Sequence, residues 1–568
     1  MNKGTAFLRQ ATCTLSVCLF GFALPLNGMA QTSSGQILQE VQQLEPPTTA
    51  LPEVAPELFP EKIKPATPKP DQISFVVKRF DFSGNKLIKR EQLESLVAAF
   101  LNTPITFDEL RRVTDMISDF YRAKGWLVRV ILPQQDITDG VVTINIIEAK
   151  LGGIRVNNLS KRVSNERVEA WIYGRIPLDS QLSLDELDRA LLTLNDLPDV
   201  LVSGTLQSGV VTGETILSLT VTDKPLFNGQ VAVDNFGDSN TGKVRASALV
   251  NVNGALGVGD QISLYGMYAE GTNYGRLSVT APVGSSGLRL GVNGSAMSYR
   301  VLNNSFRSIN ANGDAFTGGL EASYPIIRSR PMNLIGILNW NFNSFRNWNN
   351  NVKVPENTYD TNVAQVGVTG NLIDSHLGGG LNAGSLIGSF GNIDKNTLTP
   401  YGPVTGVAGG FSKLRYAFNR NQAITESLSA YIAVSGQWAS KNMDSSEQLY
   451  LGGPMNVRAY ASGQGPASQG NLTTFELRLN LPHQTQLTAF YDIGNVQMWK
   501  FNTQNVGYNN YVLQGFGLSF GWTGPYGVNL KATWAQRTGP LSQSVTNYLN
   551  QNGGTSANRF WLTASVPF

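Results

Sequence analysis

The chain ends on Asn558–Phe568, NRFWLTASVPF, and the two faces of this stretch decide the fold. Phe560, Leu562, Ala564, Val566 and Phe568 alternate with Trp561, Thr563 and Ser565. Period-two alternation puts the first set on one face of a β-strand and the second set on the other. An apolar face running to a terminal aromatic suits a wall with lipid on one side and a polar interior on the other. Ten residues rising about 3.3 Å each and tilted by about 40° span roughly 25 Å, the thickness of an outer-membrane apolar layer.

The same texture fills the chain from Pro225 onward. Sixteen such runs can be marked, the first Asn228–Phe236 and the last Asn558–Phe568. The longer stretches between them, 300–313, 345–361, 391–409, 440–470, 494–512 and 538–557, each follow an odd-numbered run. Pro482–Thr485 and Gly524–Tyr526, after even-numbered runs, are brief. An even count with long and short connections in alternation fits a bacterial barrel with long outer loops and short periplasmic turns. A soluble β-sandwich shares the alternation but has no reason for this loop parity. Charged residues are 15% of the chain, below the roughly 25% of soluble domains. No stretch after residue 30 approaches 18 consecutive apolar residues, which excludes a helical membrane protein. A net charge of +3 gives no argument for a nucleic-acid partner.

Upstream of the barrel the chain has four further parts. Lys3 and Arg9, the apolar run Ala11–Leu26 and the small-x-small site Gly28-Met29-Ala30 read as a signal peptide over 1–30. Both cysteines, Cys13 and Cys18, lie inside it, so the exported chain has no thiol and no disulfide. Residues 31–45 hold a short helix with Ile37, Leu38, Val41 and Leu44 on one stripe. So short a helix needs a surface to dock on; without one, this segment is disordered. Residues 46–70 are a Pro-rich linker able to reach roughly 75 Å. Residues 71–150 read strand Ile73–Phe82, helices Glu91–Phe100 and Phe107–Lys124, then strands Leu127–Leu132 and Val141–Glu148. Leu110, Val113, Ile117 and Phe120 are the expected inward face of the longer helix. Residues 151–224 repeat that β-α-α-β-β order, with helices Asn165–Tyr173 and Leu184–Leu194 and a capping box at Ser183 and Glu186. Each α+β module has a sheet edge that can accept another strand.

The candidate site is the stretch Leu451–Gly470, LGGPMNVRAYASGQGPASQG, whose one cation is Arg458. It lies in a thirty-one-residue loop, 440–470, long enough to fold back into a barrel. Downstream, Leu487, Ala489, Tyr491 and Ile493 share the lipid face of one strand, which turns Thr488, Phe490, Asp492 and Gly494 to the lumen. The preceding strand turns Glu476, Arg478 and Asn480 inward. If the loop folds in, Arg458 can meet Asp492 in a bidentate pair, with Glu476 as a competing partner. Leaving either charge unpaired in a confined lumen is costly. The alternative is a solvated loop cation and an ordinary lumen carboxylate. His376 and His483 fall in separate periplasmic turns without a metal spacing. With neither a nucleophile elbow nor a phosphate loop, no enzyme, metal or cofactor is expected.

The order of signal, short helix, Pro-rich linker, two αβ repeats and barrel resembles the two-partner secretion transporters. These are the haemolysin-activator and filamentous-haemagglutinin exporters, within the POTRA-bearing outer-membrane superfamily. The motifs that carry the resemblance are FDFSGN at Phe80–Asn85, LDRALLTLNDLP at Leu187–Pro198, GVGDQ at Gly257–Gln261, VRAY at Val457–Tyr460 and FYDIG at Phe490–Gly494. The resemblance implies a sixteen-stranded antiparallel transmembrane barrel over 225–568, with POTRA modules at 71–150 and 151–224 in the periplasm. It implies that Val457, Arg458 and Tyr460 of the loop lie inside the barrel against Phe490, Asp492 and Gly494. The helix at 31–45 would plug the pore through Ile37, Leu38, Val41 and Leu44. The partner would be a large secreted exoprotein of adhesin or haemolysin type, captured unfolded by the POTRA modules and exported by a monomer seated in outer-membrane lipid. A factor that inserts other barrels is the runner-up, and a diffusion porin the next. The family tetrad is usually VRGY, so Ala459 stands where glycine is expected. If that position needs a positive φ, alanine strains the tip by about 1 kcal/mol.

Overall fold

The computed structural model describes residues 32–137, without 46–73, and 139–302, 310–349, 357–395, 406–503, 505, 507–551, 554 and 556–568. The signal peptide expected at 1–30, with Cys13 and Cys18, and the linker expected at 46–70 lie outside the described residues.

The first element is helix α1 (Ser34–Leu44), started by Ser33, whose hydroxyl accepts a hydrogen bond from the Gln36 amide. The first module comprises β1 (Ser74–Val76), β2 (Arg79–Ser83), α2 (Arg90–Val97), β3 (Pro104–Thr106), α3 (Phe107–Ala123), β4 (Val128–Ile131) and β5 (Val141–Glu148). The strand expected over 73–82 is two strands, because its halves have different partners. β1 pairs antiparallel with β3, while β2 runs parallel to β5. Helix α3 is held by a capping box of Thr106 and Glu109. Its inward face uses Leu110, Val113, Ile117 and Tyr121, and Phe120 is only half-buried. Tyr121 takes the deeper place because its hydroxyl has a buried partner, Glu148, 3.1 Å away. Glu148 also accepts from the amides of Lys86 and Leu87, so this acid closes the turn that follows β2.

The second module repeats the plan with β6 (Lys150–Asn158), α4 (Asn165–Tyr173), α5 (Leu184–Asn195), β7 (Val200–Ser208) and β8 (Glu214–Asp223). β8 lies between a parallel β6 and an antiparallel β7. Ser183 caps α5 by accepting from the Glu186 amide. This module sits on the first three periplasmic turns of the barrel through arginines. Arg162, Arg175 and Arg189 donate to the carbonyls of Asn253, Ser286 and Pro325, and Arg328 of the barrel forks onto Asp196 at 2.8 Å from both nitrogens.

The barrel strands are β9 (Phe227–Asp234), β10 (Arg245–Asn253), β11 (Gln261–Ala269), β12 (Thr272–Pro282), β13 (Arg289–Arg300), β14 (Asn312–Arg328), β15 (Met332–Trp348), β16 (Asn357–Asp374), β17 (Gly380–Lys395), β18 (Gly409–Ala423) and β19 (Leu428–Ala439). After a long loop carrying the short pair β20 (Leu449–Tyr450) and β21 (Pro466–Ala467) come β22 (Gln469–Leu481), β23 (Thr485–Gln497), β24 (Asn510–Thr523), β25 (Asn529–Arg537) and β26 (Asn558–Pro567). The sixteen long strands form one closed antiparallel sheet in which β26 returns to β9. Every sequence run lies on its own strand. The strands β14 to β17, however, have 16 to 18 residues rather than about ten. Apolar alternation stops at the edge of the lipid layer, whereas a hydrogen-bond ladder continues for as long as two backbones stay paired. Exposed Leu264, Leu277, Leu320, Leu338, Trp340, Val366, Phe418 and Leu562 form the lipid-facing band. Helix α6 (Gln543–Gln551), in the last outer loop, was not foreseen from the sequence.

Candidate functional site

The loop after β19 turns inward, and β20 and β21 pin its base by pairing Leu449 with Ala467 and Tyr450 with Pro466. Its tip is deeply buried: Val457 is 0%, Arg458 6% and Tyr460 2% exposed. Register on the wall prepares the partner. In the β22–β23 ladder Thr474 stands opposite Asp492 and Glu476 opposite Phe490, so all four side chains point to the lumen.

Arg458 meets both carboxylates. Its Nε donates to Asp492 Oδ2 at 2.8 Å and its Nη2 to Oδ1 at 2.7 Å, while its backbone amide adds a third bond to Oδ2 at 3.1 Å. Its Nη1 donates to Glu476 Oε1 at 2.7 Å, so Glu476 extends the pairing rather than competing for it. Arg478 closes the chain with a 2.7 Å bond from Nε to the other oxygen of Glu476. Thr474 donates to Asp492 Oδ1 at 3.0 Å. The guanidinium lies 3.4 Å over the Phe490 ring, a cation–π contact sheltered from water. Two cations thus face two carboxylates, and the desolvation cost of each is offset by a complete set of hydrogen bonds.

The remaining motif residues shape this contact. Gly494 leaves room for Val457, whose Cγ2 is 3.0 Å from where a Cβ on Gly494 would stand. Tyr460 packs in an apolar cluster with Leu451, Leu513, Ala535 and Leu549 of α6. Ala459 does not have a positive φ, so the strain conditionally expected there is not present. Its methyl sits against Gly515, where a Cβ would collide with it. The left-handed turns of the loop fall instead at Gly453, Gly463 and Gly465. Trp561 went unnoticed in the sequence as a site residue, although its inward facing was legible. Its indole Nε1 donates to the Arg458 carbonyl at 2.7 Å, joining the last strand to the tip. Only the folded loop could reveal that bond.

Helix α1 also lies in the lumen. Ile37, Leu38 and Val41 are buried in one cluster with Tyr265, Met267, Tyr274, Met297 and Phe345 of the wall, and Leu44 is half-buried near its end. Gly35 permits close approach, since a Cβ there would stand 2.7 Å from Tyr359 Oη and 2.9 Å from the Ser446 amide. Polar contacts tie both ends: the Ser34 amide donates to Asn347 Oδ1 at 2.9 Å, and Arg276 Nη1 meets Glu45 Oε2 at 3.1 Å.

Known proteins show the same plan. The family model for haemolysin secretion/activation proteins of the ShlB/FhaC/HecB type matches residues 213–524, and that for the ShlB-type POTRA domain matches 75–149. The heme/hemopexin transporter protein HuxB of Haemophilus influenzae is 27% identical over 580 residues, covering 97% of this chain and 98% of that protein. The outer membrane transporter CdiB of Dickeya dadantii is 24% identical over 493 residues, covering 83% of this chain and 82% of its own length. The solved structure of CdiB from Escherichia coli superposes with a TM-score of 0.70 at 19% identity, over 95% of this chain and all of that one, a likeness that speaks to the fold. With a barrel, POTRA architecture and a family match that spans more than half of its length, the chain belongs to the haemolysin secretion/activation protein family, the outer-membrane transporters of two-partner secretion.

Proposed function

We propose that the protein carries one large exoprotein, of adhesin or haemolysin type, from its periplasmic POTRA modules through the barrel to the cell surface. It rests closed, with α1 as the plug and Arg458 on Asp492 as the lock. The observation that carries this reading is the contrast between wall and contents. The wall is an unbroken hydrogen-bonded ring, whereas both segments that fill the lumen attach to it through side chains and turns. Clearing those contacts opens a path without breaking the ring.

The exoprotein arrives unfolded and adds as a strand to a module edge. The sheet orders β2-β5-β4 and β6-β8-β7 put β2, β4, β6 and β7 at sheet edges; β6 is covered at Lys150 and Leu151 by residues 179–181, and β7 at Val202 by the Asn195 side chain. The lumen is then crossed by an extended chain, and folding outside makes the passage one-way. The protein works as a monomer in outer-membrane lipid. The test is a comparison of secreted proteins between wild type and a strain lacking this chain. One large extracellular protein should vanish while other outer-membrane barrels keep normal levels. If the secreted set is unchanged, the exporter reading fails; if many barrels decline, an insertion factor replaces it.

A further inference from the structure

Close to the lock, where the plug helix, the first outer loop and the Arg458-bearing loop meet, two acids are buried together. Glu40 comes from α1 and Asp238 from the loop 235–244, and they are 8% and 6% exposed. Glu40 Oε1, Asp238 Oδ2 and Gln36 Nε2 are the three nearest atoms to where a Cβ on Gly463 would stand, all within 2.8 Å of it. Gly463, at φ +78°, therefore lays the loop backbone directly over the pair. Ser462 beside it donates to the Phe236 carbonyl at 2.6 Å, so all three segments are joined here.

Neither acid forms an ion pair among the described residues. Glu40 accepts from Gln36 Nε2 at 2.8 Å, and Asp238 accepts from the Asn240 amide at 2.6 Å. The cations nearby are otherwise engaged or distant. Arg245 of β10 is forked onto Asp234 at 2.8 and 2.9 Å. Arg559 of β26 acts on Asp238 only through space. The other titratable group that faces the pair is a phenol, Tyr450 of the long loop, which Asp444 of the same loop and Tyr548 of α6 face in turn. Two carboxylates so placed cannot both be charged at little cost.

We propose that Glu40 and Asp238 hold the plug in its seat by sharing a proton, and that loss of this proton as pH rises releases the helix. This rests on the reading of α1 as a plug. Burial and the neighbouring acid push the Glu40 carboxyl well up, and burial holds Asp238 at about 6. A carboxyl whose value is raised in the docked state favours docking at low pH. That contribution is complete below the ordinary carboxylate range and is lost as pH climbs through about 6 and beyond.

The experiment is conductance of the full-length protein in planar bilayers at constant potassium chloride, from pH 5 to pH 8, with a second readout on the helix itself. Both natural cysteines precede residue 19, so a Leu38→Cys variant carries one thiol in the exported chain, buried while the helix is seated. Open conductance and labelling of Cys at that position by a maleimide should rise together, by about tenfold per proton released per pH unit in the steep range. The double variant Glu40→Gln, Asp238→Asn should stay closed and flat across the range. Deleting residues 34–44 should give high, pH-independent conductance. A wild type that is flat while the deletion is open overturns the proton latch and leaves the plug. A deletion that conducts like wild type overturns the plug and the latch with it. A double variant that keeps the rise assigns the titration elsewhere and also overturns the proposal.

Discussion

The lumen holds two intruding segments, and they are fastened in opposite ways. The loop tip brings one cation into a ring of charges that balances: Arg458 and Arg478 against Asp492 and Glu476, with each contact between 2.6 and 3.1 Å. The plug helix presents an apolar stripe to the wall and then buries Glu40 beside Asp238, with no ion pair for either. A balanced buried network is costly to break by parts, because removing one member strands the others. An unbalanced one is poised, because a proton can change its sign. This contrast supports the proposal that the tip is the lock and the plug helix the element that moves.

The largest effect should come from breaking the balanced end. Asp492→Ala leaves the buried Arg458 with Glu476 as its one remaining carboxylate and should destabilise the loop by about 3 kcal/mol. The readouts are loss of the secreted partner and a lower temperature for the heat-modified shift in detergent, with insertion into the membrane retained. Arg458→Lys should fail nearly as badly, since an ammonium cannot make the two-pronged contact. Normal export by both variants would remove the lock from the mechanism.

Next is the plug. Val41→Asp places a charge in the apolar cluster with Met267 and Phe345 and should open the pore while leaving barrel melting unchanged. An equal fall in melting would mean that α1 is structural rather than a gate, and the contrast between the two segments would collapse.

A smaller effect concerns the shape of the tip. Gly515→Ala forces a methyl against Ala459 and, at 2.7 Å, against the Gln536 carbonyl, so it should weaken export, and the pair Gly515→Ala, Ala459→Gly should recover only part of the loss. Ala459→Gly alone should change stability by about 1 kcal/mol or less. The smallest effect is at the module interface. Arg328→Ala removes the fork onto Asp196, a partly exposed pair contributing about 1 kcal/mol, and should slow secretion without abolishing it. A full loss of secretion there would move the control of opening from the lumen to the periplasmic module.

Most of the architecture is legible in the order of the residues. Alternation along Gln486–Ile493 was enough to turn Asp492 inward, because a strand offers only two faces. Loop parity put the 440–470 segment on the outer side for the same geometric reason. What was misjudged depended on partners distant in sequence. Ile73–Phe82 reads as one strand, yet β1 and β2 split because β3 and β5 claim its two halves. Phe120 and Tyr121 are equally plausible inward residues until Glu148 offers a hydrogen bond to only one of them.

The same division runs through the site. The chain by itself determined a barrel wall, its two faces, a loop with a lone arginine and an inward acid, because these follow from side-chain period and local composition. Only tertiary structure decided that Glu476 joins Arg458 with Asp492, that Trp561 grips the tip from the last strand, and that Gly515 accommodates Ala459. It also set Glu40 beside Asp238 across nearly two hundred residues. Such contacts depend on how the loop and the helix fold back into the lumen, and no periodicity along the chain encodes that path.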